Sequence, residues 1–195
     1  MPPANANRIR IIGGRLRGRA IRFPPTEGLR PTPDRVRETL FNWLGQDLTD
    51  LKTLDLFAGT GALTIEALSR GAALAVAVDR NPALVRALRA AAETLAANGL
   101  EAHADDAFSH LRREARQFDV IFLDPPFATD DWARLLAPCQ TRLAAGGFIF
   151  AEAARAIEPP PGLVLWRNAK AGAVHYHLLV RAEDALTESC ATGRQ

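Results

Sequence analysis

Cysteine and long apolar runs are scarce in this 195-residue sequence, and each scarcity excludes a class of protein. The two cysteines, Cys139 and Cys190, lie far apart and lack the spacing of metal ligands, which excludes a disulfide scaffold and is typical of a reducing compartment. The longest apolar stretch, residues 72–78, is too short to span a bilayer. The first residues lack the apolar segment of a secretory signal. We therefore expect a cytoplasmic protein that does not interact with membranes.

Lysine is also scarce, so arginine carries nearly all of the positive charge. The formal net charge is only +2, but its distribution along the chain is uneven. The segment from residue 8 to residue 37 holds Glu27, Asp34 and nine arginines: Arg8, Arg10, Arg15, Arg17, Arg19, Arg22, Arg30, Arg35 and Arg37. A basic segment on a nearly neutral body is typical of a phosphate-binding surface, although a solvated arm would have the same composition.

The first fifty residues are predicted to form a basic extension that consists of a hairpin and a helix. Between residues 8 and 23 arginines alternate with apolar residues around Gly13 and Gly14, which predicts a β-hairpin with one basic face and one packed face. Thr32 is predicted to cap a helix over residues 33–47, with Pro33 in its first position.

Strands and helices are predicted to alternate from residue 51 onward. Strands are predicted at 51–57, 74–79, 100–104, 119–124 and 148–153, and helices at 62–70, 82–98, 107–115 and 132–143. An antiparallel hairpin of residues 164–168 and 174–180 follows. This order predicts an α/β domain over residues 51–182, with a doubly wound, Rossmann-like, mostly parallel sheet of seven strands. Residues 183–195 are predicted to be a flexible tail.

A glycine-rich turn after the first predicted strand indicates a nucleotide-like ligand. Gly59 and Gly61 would let the backbone approach that ligand closely. A nicotinamide fingerprint would have a third glycine where this sequence has Thr64. The carboxylate of Asp55 disfavours a pyrophosphate and suits the cationic amino-acid end of S-adenosylmethionine. We therefore predict a site for this cofactor that includes Asp55, Phe57, Gly59 and Gly61.

Acidic residues follow the second and third predicted strands as well. Asp79 is placed to accept the ribose hydroxyls of an adenosine. Asp106 is placed to meet the adenine amino group, and the amide of Ala107 is available to a ring nitrogen. Asp105 remains the alternative to Asp106 at the adenine.

The most specific motif follows the fourth predicted strand and reads Asp124-Pro125-Pro126-Phe127. The amine of a nucleobase is a poor nucleophile because its lone pair is delocalised into the ring. The Asp124 carboxylate and the Pro125 carbonyl could hold the two amine hydrogens and favour a pyramidal nitrogen. Phe127 offers a flat face to a flipped-out base. These residues predict methyl transfer to an exocyclic amine.

Asp124-Pro125-Pro126-Phe127 resembles the (Asp/Asn)-Pro-Pro-(Tyr/Phe) motif of amino-group methyltransferases. Residues 29–44, together with residues 10–14, are similar to the bacterial 16S rRNA guanine-N2 methyltransferase family. The resemblance implies the class I methyltransferase fold, S-adenosylmethionine as methyl donor, and a guanine of small-subunit rRNA, free or within ribosomal particles, as acceptor. It further implies that Arg30, Thr32 and Arg35 close over the methionine end of the cofactor. The arginines implied to hold rRNA are Arg15, Arg17, Arg19 and Arg22.

Three other readings remain open on the sequence alone. One is an amino-methyltransferase for DNA or for a protein glutamine, although only a short basic arm is available for DNA recognition. A second is a non-catalytic RNA-binding protein with this fold, and a third is a nucleotide-linked oxidoreductase. The presence of both cofactor and acceptor residues disfavours the second, and Thr64 disfavours the third. No metal is expected, and the protein is expected to be a monomer.

Overall fold

The computed structural model describes residues 8–26, 32–126 and 131–191. The strands are β1 Arg8–Arg10, β2 Ala20–Arg22, β3 Lys52–Asp55, β4 Leu74–Asp79, β5 Leu100–Ala104, β6 Phe118–Leu123, β7 Leu143–Ala153, β8 Leu163–Ala171 and β9 Val174–Arg181. The helices are α1 Asp34–Leu44, α2 Ala62–Ser69, α3 Pro82–Leu95, α4 Ala107–Arg113, α5 Trp132–Arg142 and α6 Ala182–Ala191.

Seven of the strands form one sheet in the order β5-β4-β3-β6-β7-β9-β8. β4 is parallel to β3 and to β5, β6 is parallel to β7, and β9 is antiparallel to β7 and β8. The predicted fold class and its terminal antiparallel hairpin are therefore confirmed. Within the part of the chain that the structure describes, no helix is long and apolar enough to cross a membrane.

The chain divides into two compact units, Met1–Ala107 and Phe108–Gln195. The first unit contains residues 8–26, called the N-terminal segment below, together with α1 and the parallel strands β3, β4 and β5 with their helices. The buried strands read as nearly continuous apolar runs, as in Leu74–Asp79, because helices cover parallel sheets on both faces. The second unit contains β6 to β9 with α4, α5 and α6.

The tight glycine turn predicted for the hairpin is wrong. β1 and β2 pair with Ile9 opposite Ile21, but nine residues connect them. Gly13 and Gly14 instead lie against the end of α2, where a Cβ on Gly14 would stand 1.9 Å from the carbonyl oxygen of Ser69. Glycine is needed there for close packing between segments that are distant in sequence. The residues that follow, up to Gly18, form turns rather than a strand.

Several predicted helix ends also need correction. α1 begins at Asp34, and its N-cap position is Pro33 rather than the predicted Thr32. α3 begins at Pro82 as predicted, with Asn81 as its N-cap, but it ends at Leu95 because Ala96 adopts a left-handed conformation with φ of 49°. The predicted flexible tail includes helix α6, whose first turn carries two acids that suit the positive end of the helix dipole.

β7 is longer than predicted. It begins at Leu143 rather than at Phe148, and the glycine pair 146–147 lies within it. Pairing with β6 shifts register between Phe118 and Val120, so that the first residue of β7 still has a partner.

Candidate active site

In the first unit, the glycine-rich turn is fixed to the end of β4 by one carboxylate. Gly59 and Gly61 have positive φ, which favours glycine. The amide of Gly59 donates to Oδ2 of Asp79 at 2.8 Å, and the amide of Asn81 donates to Oδ1 at 2.7 Å. Both carboxylate oxygens are thereby oriented, and each retains acceptor capacity for a ligand hydroxyl. Asp79, predicted to bind ribose, thus also holds the turn in place.

Asp55 ends β3 and is buried, with 3% of its surface exposed. The hydroxyl of Thr64, fully buried in α2, donates to its Oδ2 at 2.7 Å. The residue at the third position of the glycine motif therefore has a definite role, which is to orient this carboxylate. Phe57, also predicted to contact the cofactor, is half-buried two residues further along.

The end of β5 brings together the two acids between which the sequence could not decide. The amide of Asp105 donates to the carbonyl of Asp79 at 3.0 Å, which continues the β4–β5 ladder, and Asp105 Oδ1 accepts the amide of Asp106 at 2.9 Å. Asp106 Oδ2 accepts Nε of Arg80 at 3.0 Å and is ion-paired with its Nη2. Ala107, the other residue predicted at the adenine, is buried at the start of α4.

Arg80 was not among the predicted site residues. Its side chain is 79% exposed and reaches from the end of β4 to Asp106. Its position directly after Asp79 was the available sequence signal. Because Arg80 is ion-paired with Asp106, its planar guanidinium lies at the edge of the sheet where an adenine is expected.

In the second unit, the acceptor motif begins directly after β6. Leu123 is in register with Ala151 of β7, so the next pair along the two strands is Asp124 and Glu152. The side chains of Asp124 and Glu152 are hydrogen-bonded to each other. Pro125 is buried and Pro126 is exposed. Phe127 lies outside the described residues.

Glu152 is a buried acid that the sequence prediction missed. It is 6% exposed, and its Oε1 has no hydrogen-bond partner among the described residues. Burial first, then the charge of Asp124 and the hydrogen bond to it, raise the pKa of Glu152 to about 9. At neutral pH the two carboxyls therefore hold one proton and one negative charge between them. An acid within an otherwise apolar strand was the only sequence signal.

The residues predicted at the methionine end of the cofactor are described only in part. Arg30 lies outside the described residues. Thr32 precedes α1 and is buried. Arg35 lies in the first turn of α1 and is exposed. Their role as cofactor ligands stays a prediction.

A fully buried carboxylate in α2 connects the N-terminal segment to the rest of the first unit. Glu66 accepts the amides of Ile12 at 3.0 Å and Gly13 at 2.7 Å through its two oxygens. It also forms ion pairs with Arg37 at 3.3 Å and Arg70 at 2.9 Å. Arg37 is fully buried and is not a surface cation, contrary to what its place in the basic segment suggests.

The four arginines predicted to bind RNA are all exposed, but the structure divides them into two pairs. Arg15 donates to the carbonyl of Ala96 at 2.7 Å, and Arg19 donates to the carbonyls of Leu95 and Thr94. These two cations therefore satisfy the C-terminal carbonyls of α3. Arg17 and Arg22 make no side-chain hydrogen bond to any residue in the described ranges.

Within residues 8–26, 32–126 and 131–191, no group of three metal-ligating side chains is close enough to hold a metal ion. The buried ring of His177 accepts the amide of Ile157 through Nε2 at 3.2 Å. Burial lowers the pKa of His177 and the charge of His175 adds to this, while the hydrogen bond to the Ala151 carbonyl opposes it. His177 is thus a neutral structural residue.

Comparison with known proteins gives consistent matches over most of the chain. Residues 9–180 match the family described as conserved hypothetical protein 95. The chain is similar to the ribosomal RNA small subunit methyltransferase D of Escherichia coli strain K12, at 38% identity over 91% of this chain and 92% of that protein. The solved structure of yhhF from Escherichia coli has a TM-score of 0.80 at 39% identity, covering 89% of this chain and 98% of yhhF. The structure of SMU.776 in complex with SAH, 16% identical, has a TM-score of 0.70 over 89% of this chain and 56% of SMU.776, and shares the fold alone.

Proposed function

Because the chain belongs to the family described as conserved hypothetical protein 95, we propose that it transfers a methyl group from S-adenosylmethionine to the exocyclic N2 of a guanine in small-subunit ribosomal RNA. The similarity to a small subunit methyltransferase over most of both chains supports the substrate class. The assignment of the guanine N2 amine as the methyl acceptor rests on the chemistry of the acceptor motif, Asp124-Pro125-Pro126-Phe127.

The observation that carries the proposal is the acceptor carboxylate at the end of β6. Asp124 lies beside Glu152, whose pKa is raised to about 9, so Glu152 is protonated at neutral pH and does not compete with Asp124 for a ligand donor. A carboxylate only accepts hydrogen bonds. Guanine places its ring N1–H beside the N2 amine, so two neighbouring donors face such an acceptor, whereas adenine and cytosine place a ring acceptor beside theirs. Asp124 would hold these donors while the amine nitrogen takes the methyl group from the sulfonium. The carbon–sulfur bond would break to leave the neutral thioether, and the proton that the amine loses would pass to Asp124.

The acids of the first unit fit S-adenosylmethionine. This cofactor offers ribose hydroxyls, an adenine amine and a cationic amino group, which are all donors, and it supplies the electrophilic methyl group. Asp79, Asp106 and Asp55 end or follow three adjacent parallel strands and supply acceptors at one edge of them. We assign the ribose to Asp79, the adenine amine to Asp106 and the amino group to Asp55, directly or through water.

Replacing Asp79 with alanine should weaken S-adenosylmethionine binding by roughly 1.5–3 kcal/mol, the cost of lost hydrogen bonds to a charged group. Isothermal titration calorimetry gives this value. The matched control is Asn81→Ala, which removes the cap that Asn81 provides to the amide of Ala83 and leaves the Asp79 carboxylate in place. An equal loss of affinity in both variants would assign the effect to the local fold and not to the ribose.

The proposed RNA surface is the exposed part of the N-terminal segment. Arg8, Arg17 and Arg22 are exposed and, within the described ranges, make no side-chain hydrogen bonds, so they can reach phosphates. Arg15 and Arg19 are already engaged with the end of α3 and contribute to RNA binding chiefly through their charge. This division refines the four arginines predicted from the sequence.

Changing Arg17 and Arg22 together to alanine should lower rRNA affinity and flatten its salt dependence. Each lost phosphate contact should reduce the slope of log affinity against log salt by about 0.7–0.9. The pair Arg15→Ala and Arg19→Ala is the matched control with the same change in charge, and it should lower thermal stability more and the slope less. Filter binding at several salt concentrations measures the slopes. If the two double variants and the unchanged protein gave identical slopes, the N-terminal segment would be rejected as an RNA surface.

The reaction itself is tested by methyl transfer to purified small ribosomal subunits and to their naked RNA. Label from S-adenosylmethionine should appear as N2-methylguanosine after digestion to nucleosides. Asp124→Ala protein is the control for contaminating activity. Label in adenosine or cytidine would overturn the guanine assignment. Label only in DNA or in a protein glutamine, when those substrates are offered in parallel, would overturn the RNA assignment.

A further inference from the structure

Glu152 has no place in the function described so far, although it lies directly beside the acceptor residue. The β6–β7 register brings it next to Asp124, and their side chains are hydrogen-bonded. Two carboxyls can form such a bond only if one of them carries a proton, because two carboxylates have no donor. The register and the burial of Glu152 therefore favour one proton shared between the acceptor carboxylate and its buried neighbour.

The proton is held on Glu152 by its surroundings. Glu152 is 6% exposed, and its Oε1 has no hydrogen-bond partner among the described residues, so its ionised form would leave a buried charge poorly solvated. Asp124 is less buried than Glu152 and follows the strand rather than lying within it. The negative charge of the pair is therefore expected on Asp124.

Other titratable groups lie near Glu152 on the neighbouring elements. Tyr176 of β9 is in register with Glu152, and His175 and His177 are in register with its neighbours on β7. His177 is held neutral by burial and by the amide that it accepts. Cys139 of α5 is fully buried, and burial raises the pKa of its thiol, so it stays protonated. Among the described residues, the negative charge that raises the pKa of Glu152 is that of Asp124.

We propose that Glu152 is a positioning residue: it donates its proton to a hydrogen bond with Asp124 and holds that carboxylate in the orientation that receives the acceptor amine. This inference rests on the proposed function, because it assumes that Asp124 meets the amine. Glu152 does not touch the substrate in this account. It fixes one oxygen of Asp124 by a strong, charge-assisted hydrogen bond and leaves the remaining acceptor capacity to the nucleobase.

The protonation state can be measured in the free protein, without substrate or cofactor. In protein carrying carbon-13 at the glutamate carboxyls, the Glu152 resonance is assigned by its loss in Glu152→Gln. It should ionise only in alkaline solution, and Asp124→Asn should lower its pKa because the neighbouring negative charge is gone. Ionisation in the ordinary carboxylate range, near about pH 4.3, would overturn the proposal.

The same proton predicts a distinctive effect on stability. A carboxyl whose pKa is raised in the folded state holds its proton when the unfolded chain has already lost it. Between the ordinary carboxyl range and the raised pKa the unfolded state binds fewer protons, so stability falls as the pH rises. Glu152→Gln keeps a neutral donor and should remove this fall, which urea unfolding at several pH values measures. An unchanged pH dependence would count against the proton on Glu152.

Single-turnover kinetics separate positioning from mere packing. Glu152→Ala should lower the methyl-transfer rate by roughly 10–100-fold, as when the partner that orients a reacting ligand is removed, with RNA and cofactor affinity unchanged. Glu152→Gln should retain most of the rate at pH 7, and its rate relative to the unchanged protein should rise in alkaline solution, where the natural pair ionises. Equal rates for Glu152→Ala and the unchanged protein, or equal losses in both variants, would overturn positioning by a shared proton.

Failure of the inference and failure of the proposed function give different results. If the unchanged protein methylates no guanine of small-subunit RNA, the proposed function fails, while the carboxyl titration in the free protein still decides where the proton lies. If the unchanged protein is active but Glu152 ionises in the ordinary range, only the inference fails.

Discussion

Asp124→Ala is expected to lower the rate of methyl transfer by roughly 10²–10⁴-fold, the range that a positioned proton acceptor contributes. The amine nitrogen develops positive charge as it attacks, and its hydrogens then become better donors. Because the interaction with Asp124 strengthens in the transition state, its loss should lower turnover much more than substrate affinity. Single-turnover methylation of small subunits measures the rate, and calorimetry should give the same cofactor affinity as the unchanged protein.

Two further variants sharpen this experiment. Asp124→Asn should retain more activity than Asp124→Ala, because the amide oxygen can still accept one hydrogen bond. Asp119→Ala is the matched control, since Asp119 lies in β6 near its other end. Normal turnover of Asp124→Ala would remove Asp124 from the mechanism. A parallel loss in Asp119→Ala would indicate that the strand, and not the acceptor, had been damaged.

The sequence predicted the elements that depend on local patterns. The βα alternation and the start of α3 at Pro82 are confirmed, because periodicity and capping are local properties of the chain. The resemblance of residues 29–44 and 124–127 to the small-subunit rRNA methyltransferases is confirmed by the relatives. Local patterns were thus sufficient for the fold and the family.

Long-range contacts account for the errors. Gly13 and Gly14 look like a hairpin turn, but their need for glycine comes from the end of α2, more than fifty residues away. The arginine pattern does not separate Arg15, which caps a helix end, from Arg17, which makes no such contact. In the sequence, Glu152 is a single acid within an apolar strand. Its position beside Asp124 follows only from the pairing register of β7 with β6.

The N-terminal segment raises a related question of stability, because its attachment depends on a buried charge. Glu66 binds two backbone amides of this segment and two arginines of the first unit, and Arg37 has no solvent exposure. Removal of Glu66 would take the buried carboxylate away from both arginines at once. A buried cation that loses its partner keeps the full cost of its desolvation.

Glu66→Ala is therefore expected to lower the free energy of unfolding by about 3–5 kcal/mol, the loss typical of a broken buried ion pair. For a chain of this length that corresponds to a fall in the melting temperature of about 6–20 °C, at roughly 2–4 °C per kcal/mol. Thermal and urea unfolding followed by circular dichroism measure both quantities. If Glu66→Ala does not accumulate in folded form, Glu66→Gln, which keeps an acceptor oxygen but loses the charge, provides the measurement.

The matched control is Asp34→Ala, which removes the other acidic partner of the same arginine. Asp34 pairs with Arg37 at 2.5 Å, but its side chain is 62% exposed. Water can replace this partner, so the loss should stay below about 1 kcal/mol. The contrast between the two acids follows from burial, since both are bound to one guanidinium. Equal losses for Glu66→Gln and Asp34→Ala would show that the cluster does not anchor the segment. A large loss for Glu66→Gln alone, together with faster tryptic cleavage at Arg15 and Arg17, would show that the anchor of the basic segment lies in α2.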